Sequence, residues 1–310
     1  VIYFAGEWLV DGVMRIAGYL GWREFVLSFL IMAFIGSLSS LIVGISSAMR
    51  GIPQLSLGET VSGNLIDITL VLALPILLTG KAIKTDGKTI NMTMLFTVGA
   101  TLFSLLLLFD GVLSRADGVI LIFYYFSYFV WLFSKKERFK KHYTQSRLKK
   151  KSVTGAFKFF LKGMMKTITG VFLLIIAAQG IVWSCEEIAV ACGIPIVLVG
   201  LFIVGIGNAL PELYFTLRST KEQDDYMILG NILGAIITPA TLVLGIVAII
   251  NPIEISHGID NLTIARIFLF IACLLFLLFC NTGKRISKKE ALILVIFYVI
   301  FLGVEVFISF

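Results

Sequence analysis

Residues 204–213 read Val-Gly-Ile-Gly-Asn-Ala-Leu-Pro-Glu-Leu, which sets an amide, a proline and a carboxylate inside an apolar run extending from 194 to 217. The run has the length of a membrane-spanning helix. An ionisable side chain is costly in such a place and usually marks a substrate or ion pathway. Glu212 is therefore the first candidate for chemistry. Asn208 stands four residues before it, on the same face of an ideal helix. Pro211 removes one backbone hydrogen bond and leaves a carbonyl free about one turn earlier, near Gly207. Together these residues present oxygen atoms to a cation. The plainer readings are an interhelical hydrogen bond for Asn208, a kink for Pro211 and a structural charge for Glu212.

Such residues need a scaffold, and the composition says what kind. Of 310 residues, 58% are hydrophobic and 15% charged, with a mean hydropathy of +0.99. Soluble domains average about 45–50% apolar residues. A bilayer accepts apolar surface on every helix that faces lipid, so the chain reads as an all-α polytopic membrane protein. The net charge of +7 lies mainly in short connections, where it sets orientation rather than contacting nucleic acid. Cys185, Cys192, Cys273 and Cys280 fall in or at the ends of apolar runs without neighbouring metal-type ligands and read as packing residues. The chain opens on Val1 in an apolar pattern, with no basic leader and cleavage site, so the true N-terminus is expected to lie upstream.

Apolar runs of about 17 to 25 residues predict ten spans, near 1–20, 25–49, 56–80, 93–109, 116–134, 168–192, 196–218, 226–250, 262–281 and 289–309. A basic connection at 135–151 divides them. Connections after odd-numbered spans hold most of the Lys and Arg. The positive-inside rule then places those connections in the cytoplasm and both termini on the other side. Lys158, Lys162 and Lys166 recur every four residues among Phe157, Phe159, Phe160 and Leu161. This basic helical face is expected either to meet anionic lipid at the bilayer surface or to be a solvated helix extension.

A shift of 172 residues superimposes the two halves: Gly58 falls on Gly230, and Thr69-Leu70-Val71-Leu72 on Thr241-Leu242-Val243-Leu244. The expected organisation is a first membrane region at 1–134, a basic cytoplasmic linker at 135–167 and a second region at 168–310. Each region holds five spans. An odd number of spans per unit makes the repeats inverted, and such folds place an ion site near the midplane on interrupted helices. The Gly- and Pro-rich stretches 36–44, 58–63, 200–211 and 230–239 are the expected interruptions.

With these motifs in view, the chain resembles the sodium/calcium exchangers of the calcium:cation antiporter superfamily. Each repeat of that family carries a Gly-Thr-Ser-x-Pro-Glu stretch followed, about a helix later, by Gly-Asn-x-x-Gly-Ser-Asn-x-x-Asn/Asp. The second half here reads Gly207-Asn208-Ala209-Leu210-Pro211-Glu212, then Gly230-Asn231 through Thr238-Pro239. The first reads Ile35-Gly36-Ser37-Leu38-Ser39-Ser40, then Gly58-Glu59-Thr60-Val61-Ser62-Gly63-Asn64-Leu65-Ile66-Asp67. By this resemblance, the four positions of the family's ion cage hold Ser40, Asp67, Glu212 and Pro239. Two carboxylates remain, one from each half. Calcium takes six to eight oxygens, so the resemblance implies a site of Asp67 and Glu212 completed by Asn64, Asn208, Ser40, Ser37, freed carbonyls and water. Thr60, Asn64 and Asp67 share one helical face. Glu59, where the family has Asn, is not counted in this set.

The expected activity is secondary antiport of calcium or another cation against sodium or protons by alternating access. The partners are inorganic cations and the bilayer. No cofactor is expected beyond the transported ions, and no set of catalytic residues suggests an enzyme. The alternative is an exchanger-fold membrane protein that no longer transports and serves as a scaffold or regulator. Ser40 and Pro239 favour that alternative.

Overall fold

The computed structural model describes residue 8 and residues 24–134, 153–222, 225–255 and 261–309. The first expected span, most of the linker's basic cluster and both histidines, His142 and His257, lie outside these residues.

Nine continuous helical stretches run through the described residues. In chain order they are α1 (Glu24–Met49), α2 (Gln54–Ile66) continuing through a π turn into α3 (Leu72–Thr79), α4 (Lys88–Leu107), α5 (Arg115–Ser134) and α6 (Val153–Cys192). Then come α7 (Ile196–Val199), running through a π turn into α8 (Gly205–Glu222), and α9 (Asp225–Thr238), running through a third into α10 (Leu244–Ile250). The last two are α11 (Asn261–Asn281) and α12 (Lys288–Ser309). Six of the helical stretches are long and apolar enough to cross a membrane. Apart from α12, which runs on to Ser309, each ends where the apolar run gives way within a few residues to Gly, Pro or charge. Gly80, for example, ends α3 in the left-handed conformation at φ 76°, a geometry that glycine adopts without strain.

Burial divides these helices into an inner and an outer set. The stretch from α2 to α3 is 72% buried over its most apolar window and that from α9 to α10 is 89% buried, whereas α6 is 24% and α12 28%. Leu57, Leu65, Ile68, Leu72, Ile232, Ile236 and Val243 are enclosed, while Phe172, Trp183, Val299 and Phe307 point outward. In a bilayer, outward apolar side chains face lipid, so α6 and α12 form the periphery.

The inner helices touch backbone to backbone. A Cβ on Gly58 of α2 would lie 2.1 Å from the Val197 carbonyl oxygen, and one on Gly200 would lie 2.3 Å from the Leu55 carbonyl oxygen. A Cβ on Gly205 would meet Ser62 at 2.7 Å. Small residues permit this crossing, where close van der Waals packing replaces the hydrophobic drive that is missing in lipid.

The expected interruptions take a different form. Neither 36–44 nor 58–63 is broken, and α8 runs on through Pro211. Instead, three helices carry one wide turn each: Asp67–Val71, Gly200–Val204 and Pro239–Val243. A π turn inserts one residue and leaves carbonyls out of the α ladder without ending the helix, which suits a functional site in a membrane. The turns at 67–71 and 239–243 stand 172 residues apart, the offset found in the sequence. Each carries a threonine that hydrogen-bonds back one turn, Thr69 to the Leu65 carbonyl and Thr241 to the Ile237 carbonyl.

Two small features were not in the expected all-α pattern. Strands β1 (Ile83–Lys84) and β4 (Arg285–Ile286) pair antiparallel, as do β2 (Val112–Leu113) and β3 (Ile253–Glu254). Each pair joins a connection from the first half to one from the second. Two residues per strand are too few to show an alternating pattern. Helix α6 also begins well before residue 168, taking Lys158, Lys162 and Lys166 into one continuous helix of 40 residues. At about 1.5 Å per residue this rod is roughly 60 Å long, twice the hydrocarbon core. Lysine is a good helix former, so nothing in that segment stops the helix. Cys185, Cys273 and Cys280 are buried and unbridged, while Cys192 is exposed where α6 ends.

Candidate functional site

Where α1, α2, α8 and α9 come together lies a cavity of about 30 Å³. It is large enough for a water or a partly dehydrated cation. All six expected residues line it: Ser37 and Ser40 from α1, Asn64 and Asp67 from α2 and its π turn, and Asn208 and Glu212 from α8. Ala209, Ala235 and Pro239 complete the second half's share of the wall.

The placement follows from helix geometry. Ser37 and Ser40 stand three apart on α1, and Asn208 and Glu212 four apart on α8, so each pair shares a face. Asp67 is the first residue of its π turn, which begins where α2 meets the cavity. The Gly58–Gly200 crossing holds α2 against the segment that leads into α8, and so brings Asp67 and Glu212 to one cavity.

The polar groups are incompletely satisfied. Oδ1 of Asp67, Oε2 of Glu212 and Oγ1 of Thr60 are buried without hydrogen-bond partners. Asp67 as a whole is 5% exposed, while Glu212 is only partly buried, its Oε2 alone being shut off from solvent. Leaving such oxygens unpaired is costly, and acceptor-only carboxylate oxygens accept only a proton donor or a cation. Asp67 and Glu212 also stand close enough to interact electrostatically, as do Glu212 and Glu59.

Glu59 is the residue that sequence reasoning set aside. It is 3% exposed, and it lines the same cavity. At about 100° per residue, Glu59, Gly63, Asp67, Thr60 and Asn64 fall within an arc of about 140° on α2. The spacing 59, 63, 67 was the signal that could have found it. Gly63 at the middle of that row has nothing within 4 Å of where a Cβ would stand, which leaves room for the longer side chains on either side. Asn208 donates a hydrogen bond to Glu59 Oε1, and its Nδ2 lies 3.3 Å from Ser40 Oγ. Glu59 Oε2 is buried and unpartnered.

Among the described residues, no three His, Cys, Asp or Glu side chains stand close enough together to hold a metal ion by themselves. Glu59 and Asp67 are about 12 Å apart along the helix axis. A cation here must therefore take its carboxylates from different helices and fill its shell with hydroxyl, amide, carbonyl and water oxygens.

Away from the cavity, Glu186 of α6 lies at an edge, as its sequence position suggests. Arg50 at the end of α1 pairs with it at 3.0 Å and also reaches Gln179. Glu187 is exposed.

Comparison with known proteins gives a consistent picture. The family described as sodium/calcium exchanger protein matches residues 1–134 and 163–307. The sodium/calcium exchanger MaX1 of Methanosarcina acetivorans is 26% identical over 341 aligned residues, covering 97% of this chain and 94% of that one. The putative antiporter CaxA of Alkalimonas amylolytica is 27% identical over 311 residues, covering 96% and 93%. The solved structure of the sodium-calcium exchanger NCX_Mj, soaked with 100 mM Na+ and 10 mM Sr2+, superimposes with a TM-score of 0.66 at 23% identity. It covers 97% of this chain and 94% of that chain. At that identity the likeness establishes the fold.

Proposed function

The chain belongs to the sodium/calcium exchanger family, and on that premise we propose that this integral multi-pass membrane protein is a secondary antiporter. It exchanges calcium or another cation for sodium or protons by alternating access. The observation that carries this reading is the buried cavity in which Asp67 from one half and Glu212 from the other each present an unpartnered oxygen. Asn64, Asn208, Ser40 and Ser37 supply the remaining side-chain oxygens, and calcium's preference for six to eight oxygen ligands suits such a mixed set. Transport rather than catalysis is the activity of the family, and the ions are cargo rather than cofactors.

Two inverted five-helix repeats, 1–134 and 168–310, rock against each other around this site in the proposed mechanism. The shared offset of two π turns supports the repeat, and the strand pairs β1–β4 and β2–β3 tie connections of one half to those of the other. Both termini lie outside the cytoplasm by the distribution of Lys and Arg. The basic start of α6 meets anionic lipid on the cytoplasmic face.

The test is cation flux in vesicles containing purified protein. A calcium gradient should drive sodium or proton movement and the reverse, and Glu212→Gln should abolish it. Exchange that survives this change unaltered removes Glu212 from the pathway. A second reading, an exchanger-fold scaffold without transport, draws on Ala235 and Pro239, which give the second half's wall no ligand oxygen in their side chains. Absence of any thermal shift with sodium, calcium or protons would favour it.

A further inference from the structure

The 172-residue offset makes Ser40 the mate of Glu212, so the first half has a hydroxyl where the second half has a carboxylate. In space, however, that place is not without charge. The carboxylate of Glu59 lines the same cavity wall as Ser40, and Asn208 from the other half donates a hydrogen bond to its Oε1. Asn208 Nδ2 is also 3.3 Å from Ser40 Oγ, so hydroxyl, amide and carboxylate form one small cluster at the cavity wall. Its outcome is geometric: Oε1 is held, and Oε2 is left buried, unpartnered and at the cavity.

The location of Glu59 depends on its neighbour. Gly58 lets the α2 backbone approach to where any Cβ would strike the Val197 carbonyl at 2.1 Å, and this contact presses the next residue into the interface between halves. Glu59 itself is 3% exposed and faces neither lipid nor bulk water. In a low-dielectric interior an unpaired carboxylate oxygen is costly, and retention of Glu59 there calls for a partner that supplies positive charge.

We propose that Glu59 supplies a third negative charge at the cation cavity, standing in space for the carboxylate that position 40 lacks, and that this charge, without joining Asp67 and Glu212 as a direct ligand of the same ion, confers preference for a divalent over a monovalent cation. This assignment rests on the antiporter reading above and deepens it. Ser40 and Asn208 act as positioning residues that fix Oε1 and aim Oε2. Glu59, Asp67 and Glu212 then line the cavity with three carboxylates rather than two, and the added negative charge favours a doubly charged cation over a singly charged one.

The test compares wild type, Glu59→Gln and the swap Ser40→Glu/Glu59→Gln, in detergent by calcium- and sodium-dependent thermal shift and in vesicles by calcium flux. Glu59→Gln should weaken the apparent calcium affinity by at least about tenfold while changing that for sodium by less than about threefold. The swap, which moves the carboxylate back onto α1, should recover most of the calcium affinity. Wild-type-like calcium affinity in Glu59→Gln overturns the assignment, as does equal loss for both ions. If Glu59→Gln does not fold, the swap alone decides: calcium affinity near wild type supports the relocation, and a folded swap without calcium response overturns it. A wild type that responds to no cation fails both this assignment and the antiporter reading. An active wild type matched by Glu59→Gln fails only the assignment.

Discussion

The two halves of the molecule carry π turns 172 residues apart, at 67–71 and 239–243, yet they furnish the cavity unequally. The first half brings Asp67, Glu59, Asn64, Thr60, Ser37 and Ser40, whereas the second brings Glu212 and Asn208 against a wall of Ala209, Ala235 and Pro239. Two of the three π turns correspond across the 172-residue offset, whereas the ligand groups lie mostly on one side. The shared requirement is local: helices must cross closely enough to line one cavity, and glycine at 58, 200 and 205 meets it. Which half supplies each oxygen is a looser constraint, because a ligand can arrive from any helix that lines the space.

The sharpest way to break this comparison is to remove the second half's single carboxylate. Glu212→Gln should reduce exchange by about a hundredfold or more, since nothing else from that half can replace the charge. Asp67→Asn should cost less, about ten- to a hundredfold in the same vesicle assay, because Glu59 remains on the same helix face. Gly200→Ala should lower thermal stability through overpacking against the Leu55 carbonyl, by about 1–3 kcal/mol, measured by unfolding in detergent; an unchanged transition would show that the crossing is looser than drawn. Ala235→Ser restores a hydroxyl to the poorer half and should improve apparent calcium affinity by a few-fold, about what one added neutral ligand contributes. Arg50→Gln should change stability by less than about 1 kcal/mol, since both partners of its ion pair are 35% exposed. That last variant serves as the control far from the cavity.

Much of this was legible in the sequence because membrane helices announce themselves by length and apolarity. The nine helical stretches among the described residues fall on expected spans, and Glu212 drew attention as a charge in an apolar run. The i, i+4, i+7 spacing of Thr60, Asn64 and Asp67 placed them on a shared face, which the cavity wall now contains. Glu59 was not legible by the same route, since position-by-position matching weighs a residue by its place along the chain. Glu59 and Ser40, nineteen positions earlier, are brought to one Asn208 side chain only after α1, α2 and α8 have packed. The wide turns were hidden for a related reason. Glycine and proline predicted breaks, but burial makes an unbroken helix with one inserted residue less costly than exposed backbone ends. The early start of α6 was one of two readings of its basic face, since the apolar pattern weakens at Lys158, Lys162 and Lys166 although helix propensity does not.

The central claim is that one cation is shared by carboxylates from opposite halves. Its most direct measurement is anomalous diffraction from crystals of the protein soaked in strontium, which scatters strongly and mimics calcium. The account predicts a peak inside the cavity, about 2.3–2.6 Å from a carboxylate oxygen of Asp67 and from one of Glu212, and lost in Glu212→Gln. A cavity without a peak at saturating strontium, or a peak bound by one half alone, would contradict it.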